Sequence, residues 1–307
     1  MALAASTTAI PAVKDLAATI AQLAREASIE INVHDVVHLE ESRRLFPAGK
    51  ALYVSHLPKQ QWRDTETACR AVRAAGFRPV PHIPVRLLAD AATVDRLFSG
   101  FVDTAQVDEV LLISGDYPQA AGPFTEVLQL LNSGALQRHG FRRVTVAGHP
   151  EGHPQVPLAD IRRAELDKAR AAQQAGLELT FLTQFFFEQG PFLDWVRELR
   201  SGGVQARLVG GLAGPTRLST LIKFAMRCGA GPSMRVLTSR PAALTKLLGH
   251  HGPESLLRGL ARAQCDNSSD FAGVHLFCFG GFVRTCQWLQ DIADGRFILD
   301  DAGGFKV

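Results

Sequence analysis

The chain lacks most of the features that would classify a protein at a glance. Its five cysteines, Cys69, Cys228, Cys265, Cys278 and Cys286, are scattered along 307 residues without a C-x-x-C pair. That argues against a zinc knuckle and against a disulfide framework, and makes a reduced cytoplasm the simplest setting. No apolar run is long enough to span a bilayer, so no membrane association is expected. The stretch Met1 to Val13 is rich in Ala and Thr but has neither a basic region nor a long apolar core, so no signal peptide is expected. The formal charge is only +3. The basic residues are dispersed, which leaves no stripe for nucleic acid. Arg far outnumbers Lys, which reads as a genomic composition bias. No internal repeat or low-complexity segment interrupts the chain.

Several catalytic signatures are missing too. The first strand runs into Val33-His34-Asp35 with no Gly-rich turn, so a dinucleotide-binding doubly wound sheet is disfavoured. The H-x-H of metal-dependent hydrolases is absent. The two H-x-x-x-H spacings, His34 to His38 and His149 to His153, fall where Pro150 and Gly152 or a strand end prevent a helix, so no metal is expected. No nucleophile elbow occurs and no Cys has an evident His partner, which makes acyl transfer an unlikely chemistry.

What the chain does have is alternation. Strand-like runs occur at Ser28–Val33, Ala51–Leu57, Arg78–Val85, Glu109–Asp116, Arg143–Pro150, Leu179–Phe187, Ala206–Leu212 and Gly273–Gly280. Helical stretches are expected between them at Asp64–Ala75, Ala89–Phe101, Phe124–Arg138, Leu158–Ala175, Pro191–Arg200 and Thr216–Arg227. Pro241–His250 and Pro253–Ala263 precede the last strand, and Gly281–Ala293 closes the series. Eight strands alternating with helices in about 250 residues predict an α/β fold, a (β/α)8 TIM barrel. The expected organisation is an N-terminal extension and helix over residues 1–26, a catalytic barrel over 27–296 and a tail over 297–307. The Gly210–Pro215 loop after the seventh strand lies where barrels often hold phosphate, though it also reads as a tight turn into a helix.

One carboxylate stands out. In Ser28-Ile29-Glu30-Ile31-Asn32-Val33 the alternation places the three aliphatics on one face and Glu30 between Ser28 and Asn32 on the other. A carboxylate inside a core strand is costly unless it is paired or protonated. The plain alternative is a Glu at a wet strand end, salt-bridged to an Arg. In a barrel the catalytic groups gather at the C-terminal strand ends. Those ends carry Glu30, Asn32, His56, His82, Ser114, Gly115, Asp116, His149, Thr183 and Gln184. Any single one reads as a hydrogen-bonded strand terminus; several converging together make a binding mouth.

The order of these residues carries a resemblance. Ser28-Ile29-Glu30, Pro81-His82-Ile83, Ser114-Gly115-Asp116-Tyr117-Pro118, Gly148-His149-Pro150-Glu151-Gly152-His153-Pro154 and Thr183-Gln184-Phe185-Phe186-Phe187-Glu188 together resemble the methylenetetrahydrofolate reductase family, over nearly the whole chain. The resemblance implies a cytoplasmic, homo-oligomeric FAD flavoprotein in which reduced NAD(P)H supplies hydride and a tetrahydrofolate derivative is the substrate. The reaction interconverts methylene- and methyltetrahydrofolate and can also run oxidatively. Glu30 matches the general acid, a role that needs a carboxyl protonated near neutrality. Asp116, Gln184 and Thr183 match the folate-binding side. His56, His82, Ser114, Gly115, Asp116, Ala147, Gly148, His149, His153, Glu165 and Lys168 fall at expected cofactor-binding positions, and Leu218 at the nicotinamide.

The chain also departs from that pattern. Ser114 replaces an Arg, His149 a Tyr, Glu165 an Asp, and Ala172 a Lys that Lys168 partly substitutes. Leu218 stands where an aromatic residue would stack on nicotinamide. The folate side is thus better kept than the FAD-phosphate and nicotinamide sides. Two alternatives follow: a flavin-independent enzyme with direct hydride transfer, and a folate-binding barrel without catalysis.

Overall fold

The computed structural model describes residues 15–115, 117–153, 155–227 and 250–307. Asp116, Cys228, Pro154, the segment Met1 to Val13 and all but the last residue of the expected helix Pro241–His250 therefore lie outside the described residues. Eight parallel strands close into a barrel: β1 Ser28–Ile31, β2 Ala51–Val54, β3 Arg78–Pro84, β4 Glu109–Ile113, β5 Arg143–Gly148, β6 Glu178–Phe185, β7 Arg207–Ala213 and β8 Gly273–Phe277. They follow one another around the wall in chain order, and β8 pairs with β1 through Ser28 with His275 and Ile29 with Leu276. This is the expected (β/α)8 architecture, with an extra helix, Leu16–Glu26, before β1 and the helix Glu254–Cys265 before β8.

The side-chain period of two divides each strand between two apolar environments. Ile29, Ile31, Leu52, Val54, Val110, Leu112, Val144, Val146, Leu208, Leu212, Val274 and Leu276 face outward into the main core beneath the helices. Tyr53, Val80, Leu111, Leu182 and Val209 fill the lumen as a separate cluster. Both faces being buried, the strands read as short apolar runs, as parallel barrels require. The polar lumen residues, Ser28, Glu30, Arg78, His82, Glu109, Thr145 and His275, occupy the same phase, so each is set against a barrel interior and not against solvent.

The elements differ from the sequence reading at their edges. The expected helix Phe124–Arg138 is two short helices, Val127–Asn132 and Ala135–Arg138, because Gly134 between them sits at φ +72°. Thr216 and Arg217 form a short antiparallel bridge with His250 and His251, and the helix begins two residues later than expected, as Leu218–Arg227. Residues of the expected tail make a small ribbon, Ile298–Leu299 with Phe305–Lys306. No helix of the described residues is long and apolar enough to cross a membrane.

Candidate active site

The C-terminal mouth of the barrel has two unlike sides. On the β1–β4 side stands Glu30. Its side chain is 21% exposed, and its Oε2 lies 3.7 Å from His82 Nε2. Burial, opposed by a hydrogen bond from Ser55 and reinforced by the Asp35 charge, pushes the Glu30 carboxyl up to about 7. Asp35 is held by the turn after β1, where its Oδ2 accepts the Asn32 backbone N–H at 2.9 Å; burial raises its pKa as well. Glu30 is therefore not the salt-bridged strand-end residue of the plain alternative, since no Lys or Arg pairs with it among the described residues. A carboxyl that titrates near neutrality at the end of a barrel strand can deliver a proton at physiological pH.

The opposite side is aromatic. Phe185 and Phe277 meet Phe187, Phe224 and Phe279 where β6 and β8 end. Phe279 stacks on Phe224 at 4.3 Å between centroids and lies nearly parallel to Phe277 at 5.7 Å. A flat heterocycle placed between this wall and Glu30 would find a stacking surface on one side and an acid on the other.

A bulge in β6 builds that wall. Leu182 pairs with Val209 and Phe185 with Gly211, so Thr183 and Gln184 together oppose one residue of β7. The insertion shifts the phase: Leu182 faces the lumen, and Phe185, three residues on, also turns to the mouth. Thr183, almost fully buried, staples the bulge by accepting the Gly211 N–H at 2.9 Å and donating to the Gln184 carbonyl at 2.8 Å. A side chain on Gly211 would put its Cβ 2.5 Å from the Thr183 carbonyl oxygen, so only Gly permits this approach. Gln184 is exposed on the rim, its Oε1 accepting the Phe185 N–H at 3.1 Å.

The expected cofactor-binding residues separate into groups. His82 lines the lumen beside Glu30. His56 turns toward the helix Trp62–Ala74, bonded through Nδ1 to Thr65 Oγ1 at 2.8 Å and stacked on Trp62 at 4.2 Å. Ser114 and Gly115 form the turn after β4, with Gly115 at φ +84°. Ala147 points to the lumen, while Gly148 faces outward against Trp195. His149 and His153 meet edge-to-face at 6.2 Å. Burial holds His149 down at about 4, helped by Lys168, His153 and Arg162. Leu218 begins the helix after β7.

Glu165 is the most constrained of the set. It is sealed from solvent, accepting the His149 backbone N–H at 2.9 Å, Arg162 Nη1 at 3.0 Å and Trp195 Nε1 at 3.1 Å. Arg162 is committed in turn, donating to the carbonyls of His149 and Pro150, to Glu165 and to Glu198. Ala172, where the resembled family carries a Lys, is fully buried in the outer core. Burial lowers the Lys168 pKa, against the pull of Glu165 and Glu126. An FAD diphosphate needs cationic donors with bonds to spare, and a ribose needs an accessible carboxylate. Ser114 and Ala172 supply neither, Arg162 is engaged and Glu165 is sealed, which leaves Lys168 as the cation of this set, so these residues fit FAD poorly.

Four features of the site were missed by sequence reasoning: Ser55, His275 with Ser28, the aromatic wall, and a pocket at the end of β7 and β8. The last is lined by Thr216, Arg217, Thr220, Phe279, Gly280 and Arg284. The alternating His275, Phe277 and Phe279 carried a period-two signal for part of this. The two arginines, 67 residues apart in sequence, carried none.

The fold and this site define a barrel with a raised-pKa acid at its mouth. No protein-family model matches the chain. Its curated relatives are all methylenetetrahydrofolate reductases by name. Methylenetetrahydrofolate reductase (NADH) 1 of Arabidopsis thaliana is 28% identical over 155 residues, 46% of this chain and 25% of that protein. Methylenetetrahydrofolate reductase 2 of Saccharomyces cerevisiae is 22% identical over 169 residues, 53% of this chain and 28% of the yeast protein. The probable methylenetetrahydrofolate reductase (NADH) of Oryza sativa is 26% identical over 144 residues. The match thus spans about a quarter of the length of these relatives. Among solved structures, tryptophan synthase from M. tuberculosis aligns over 92% of the chain at a TM-score of 0.46 and 13% identity. The barrel assignment rests on the strand order itself.

Proposed function

We propose that this chain reduces the methylene bridge of a methylenetetrahydrofolate to a methyl group, with a reduced nicotinamide as hydride donor and Glu30 as general acid. The observation that carries the reading is Glu30 itself, a lumen-facing carboxyl raised to about 7 at the mouth of a barrel whose curated relatives bear that enzyme's name. The NADH in the names of the plant relatives supports the nicotinamide donor. Glu30 would give its proton to N10 of the substrate. The carbon–N10 bond breaks and leaves an iminium at N5. Hydride then passes from the dihydronicotinamide to the methylene carbon, and a methyl group and the oxidised nicotinamide result. One proton and one hydride enter, which balances the reaction.

Because these residues supply FAD with fewer cationic donors than the resembled family's pattern, no step is routed through a flavin. The exposed Gln184 and, by resemblance, Asp116 would pair with the pterin edge. The aromatic wall of Phe185, Phe277 and Phe279 would stack on the substrate. Arg217 and Arg284 in the neighbouring pocket would receive an anionic group of either substrate. The test is turnover of a deuterium label. NADH carrying deuterium at C4 should yield a singly deuterated methyl group in ordinary water, with no loss of label, in protein free of bound flavin. Loss of label to solvent, or an absolute requirement for added FAD, would overturn direct transfer. Glu30→Gln should remain folded and lose about 10²- to 10⁴-fold in turnover, the usual worth of a positioned acid.

A further inference from the structure

Around Glu30 the lumen holds two histidines, each with an Nε2 that has no hydrogen-bond partner. His275 of β8 is fully buried, and its Nδ1 lies 2.8 Å from Ser28 Oγ. Its Nε2 has no hydrogen-bond partner. His82 of β3 is 8% exposed, and its Nε2 likewise has none, with Glu30 Oε2 at 3.7 Å. Both imidazoles pack edge-on to the ring of Tyr53, which stands on β2, at 6.2 Å for His82 and 4.9 Å for His275. The Tyr53 hydroxyl cannot serve either nitrogen, because it is engaged with Glu109 and Thr145. Val80, Leu111, Leu182 and Val209 make up the apolar part of the same lumen and offer no polar atom.

A neutral imidazole has one donor and one acceptor nitrogen, and burying either without a partner is costly. Two such nitrogens in one lumen, with a carboxyl 3.7 Å from one of them, are the kind of buried polar groups that water satisfies. We propose that ordered water sits in the lumen beside Glu30, anchored by Nε2 of His82 and Nε2 of His275, and that His82, acting through this water, is a positioning residue that supports the charged form of the Glu30 carboxyl. The pH-dependent part rests on the general-acid reading of Glu30; the water site does not.

The groups that face Glu30 are Asp35 in the turn after β1, Ser55 on β2, His82 on β3, and Cys278 after β8. Of these, His82 is the one whose polar atom is both buried and unpaired. When Glu30 gives up its proton, the carboxylate left behind needs donors. Water held by the two histidines supplies one and can return a proton drawn from the mouth.

Two measurements decide this. A high-resolution crystal structure of the full chain should show ordered water within about 2.7–3.2 Å of both Nε2 atoms. An empty lumen, or protein groups bonded to both nitrogens, would overturn the water site. The second is the pH profile of kcat. His82→Leu removes the anchor, destabilises the charged carboxylate, and should move the upper limb upward by about one pH unit, a tenfold change in proton affinity, with His82→Gln largely restoring it. A fall in kcat with the limb unmoved in His82→Leu would mean a merely structural role. Near-wild-type turnover in Glu30→Gln would instead sink the acid assignment, and the crystallographic water would still be decided on its own.

Discussion

Glu30 and Glu109 point into the same barrel from opposite ends, on β1 and β4. Glu109 begins its strand, is almost fully buried, and is saturated. It accepts Thr145 Oγ1 at 2.6 Å and the Tyr53 hydroxyl at 3.3 Å, and it forms ion pairs with Arg78 and Arg143. Asp108 ties the same two arginines together from outside. Glu30, at the other end, has one hydroxyl, a histidine at 3.7 Å and, among the described residues, no cation. Burial of two identical side chains therefore has opposite meanings. Where the partners are complete, the carboxylate is compensated and closes the floor of the barrel. Where they are incomplete, the charge is expensive, the proton is retained to about neutral pH, and the group is available for chemistry.

The largest expected effect that separates the two ends comes from removing each charge. Glu30→Gln should lose about 10²- to 10⁴-fold in kcat while gaining stability at pH 8. The sign follows from linkage. The folded carboxyl, at about 7, holds its proton more tightly than the unfolded one at 4.5. Its favourable contribution is present below the unfolded value and is lost as pH rises through 7. At pH 8 the ionised carboxylate opposes folding, and the amide relieves on the order of 3 kcal/mol. Glu109→Gln should do the reverse, costing about 1–3 kcal/mol because Arg78 and Arg143 keep Asp108 but lose their buried partner, with turnover per folded molecule little changed. Denaturant melts and steady-state rates on both variants check the contrast. A Glu30→Gln variant less stable than wild type at pH 8 would break it.

The pH profile sharpens the same comparison. A general acid must be protonated, so kcat should fall above about pH 7, approaching tenfold per unit. A kcat that stays flat from pH 6 to 9 under conditions where the hydride step limits turnover would remove Glu30 from the acid role.

How much of this was legible in the sequence differs between the two ends. The barrel was legible because eight apolar runs recur between helical stretches, a pattern set by local chain physics. Glu30 was legible because a carboxylate interrupts one of those runs. Glu109 was not, since it opens its strand and looked like an ordinary polar boundary; only the register with Arg143 and the nearness of Tyr53, 56 residues away, reveal its burial. His275 was hidden for the same reason. Its partner Ser28 lies 247 residues distant, and barrel closure alone brings them together. Bulges are equally opaque. Thr183 and Gln184 both read as strand-end polar residues, and the extra residue that sends one inward and the other to the rim is a property of the β6–β7 pairing.

That last pair gives the smallest and most discriminating test of the mouth. Thr183 and Gln184 are adjacent, yet the bulge divides their roles. Thr183→Val keeps the shape and removes the hydroxyl that accepts the Gly211 N–H. A buried donor left unpaired costs about 1–3 kcal/mol, so the variant should be less stable by that amount. Gln184→Ala touches an exposed rim side chain that accepts the Phe185 N–H. Stability should shift by no more than about 0.5 kcal/mol, while folate affinity, read by calorimetry, should weaken by about 1–3 kcal/mol if the amide pairs with the pterin. The two variants thus exchange the quantity they damage. Equal losses of stability would mean that Gln184 is part of the bulge's support, and unchanged folate affinity in Gln184→Ala would place the pterin elsewhere along the aromatic wall.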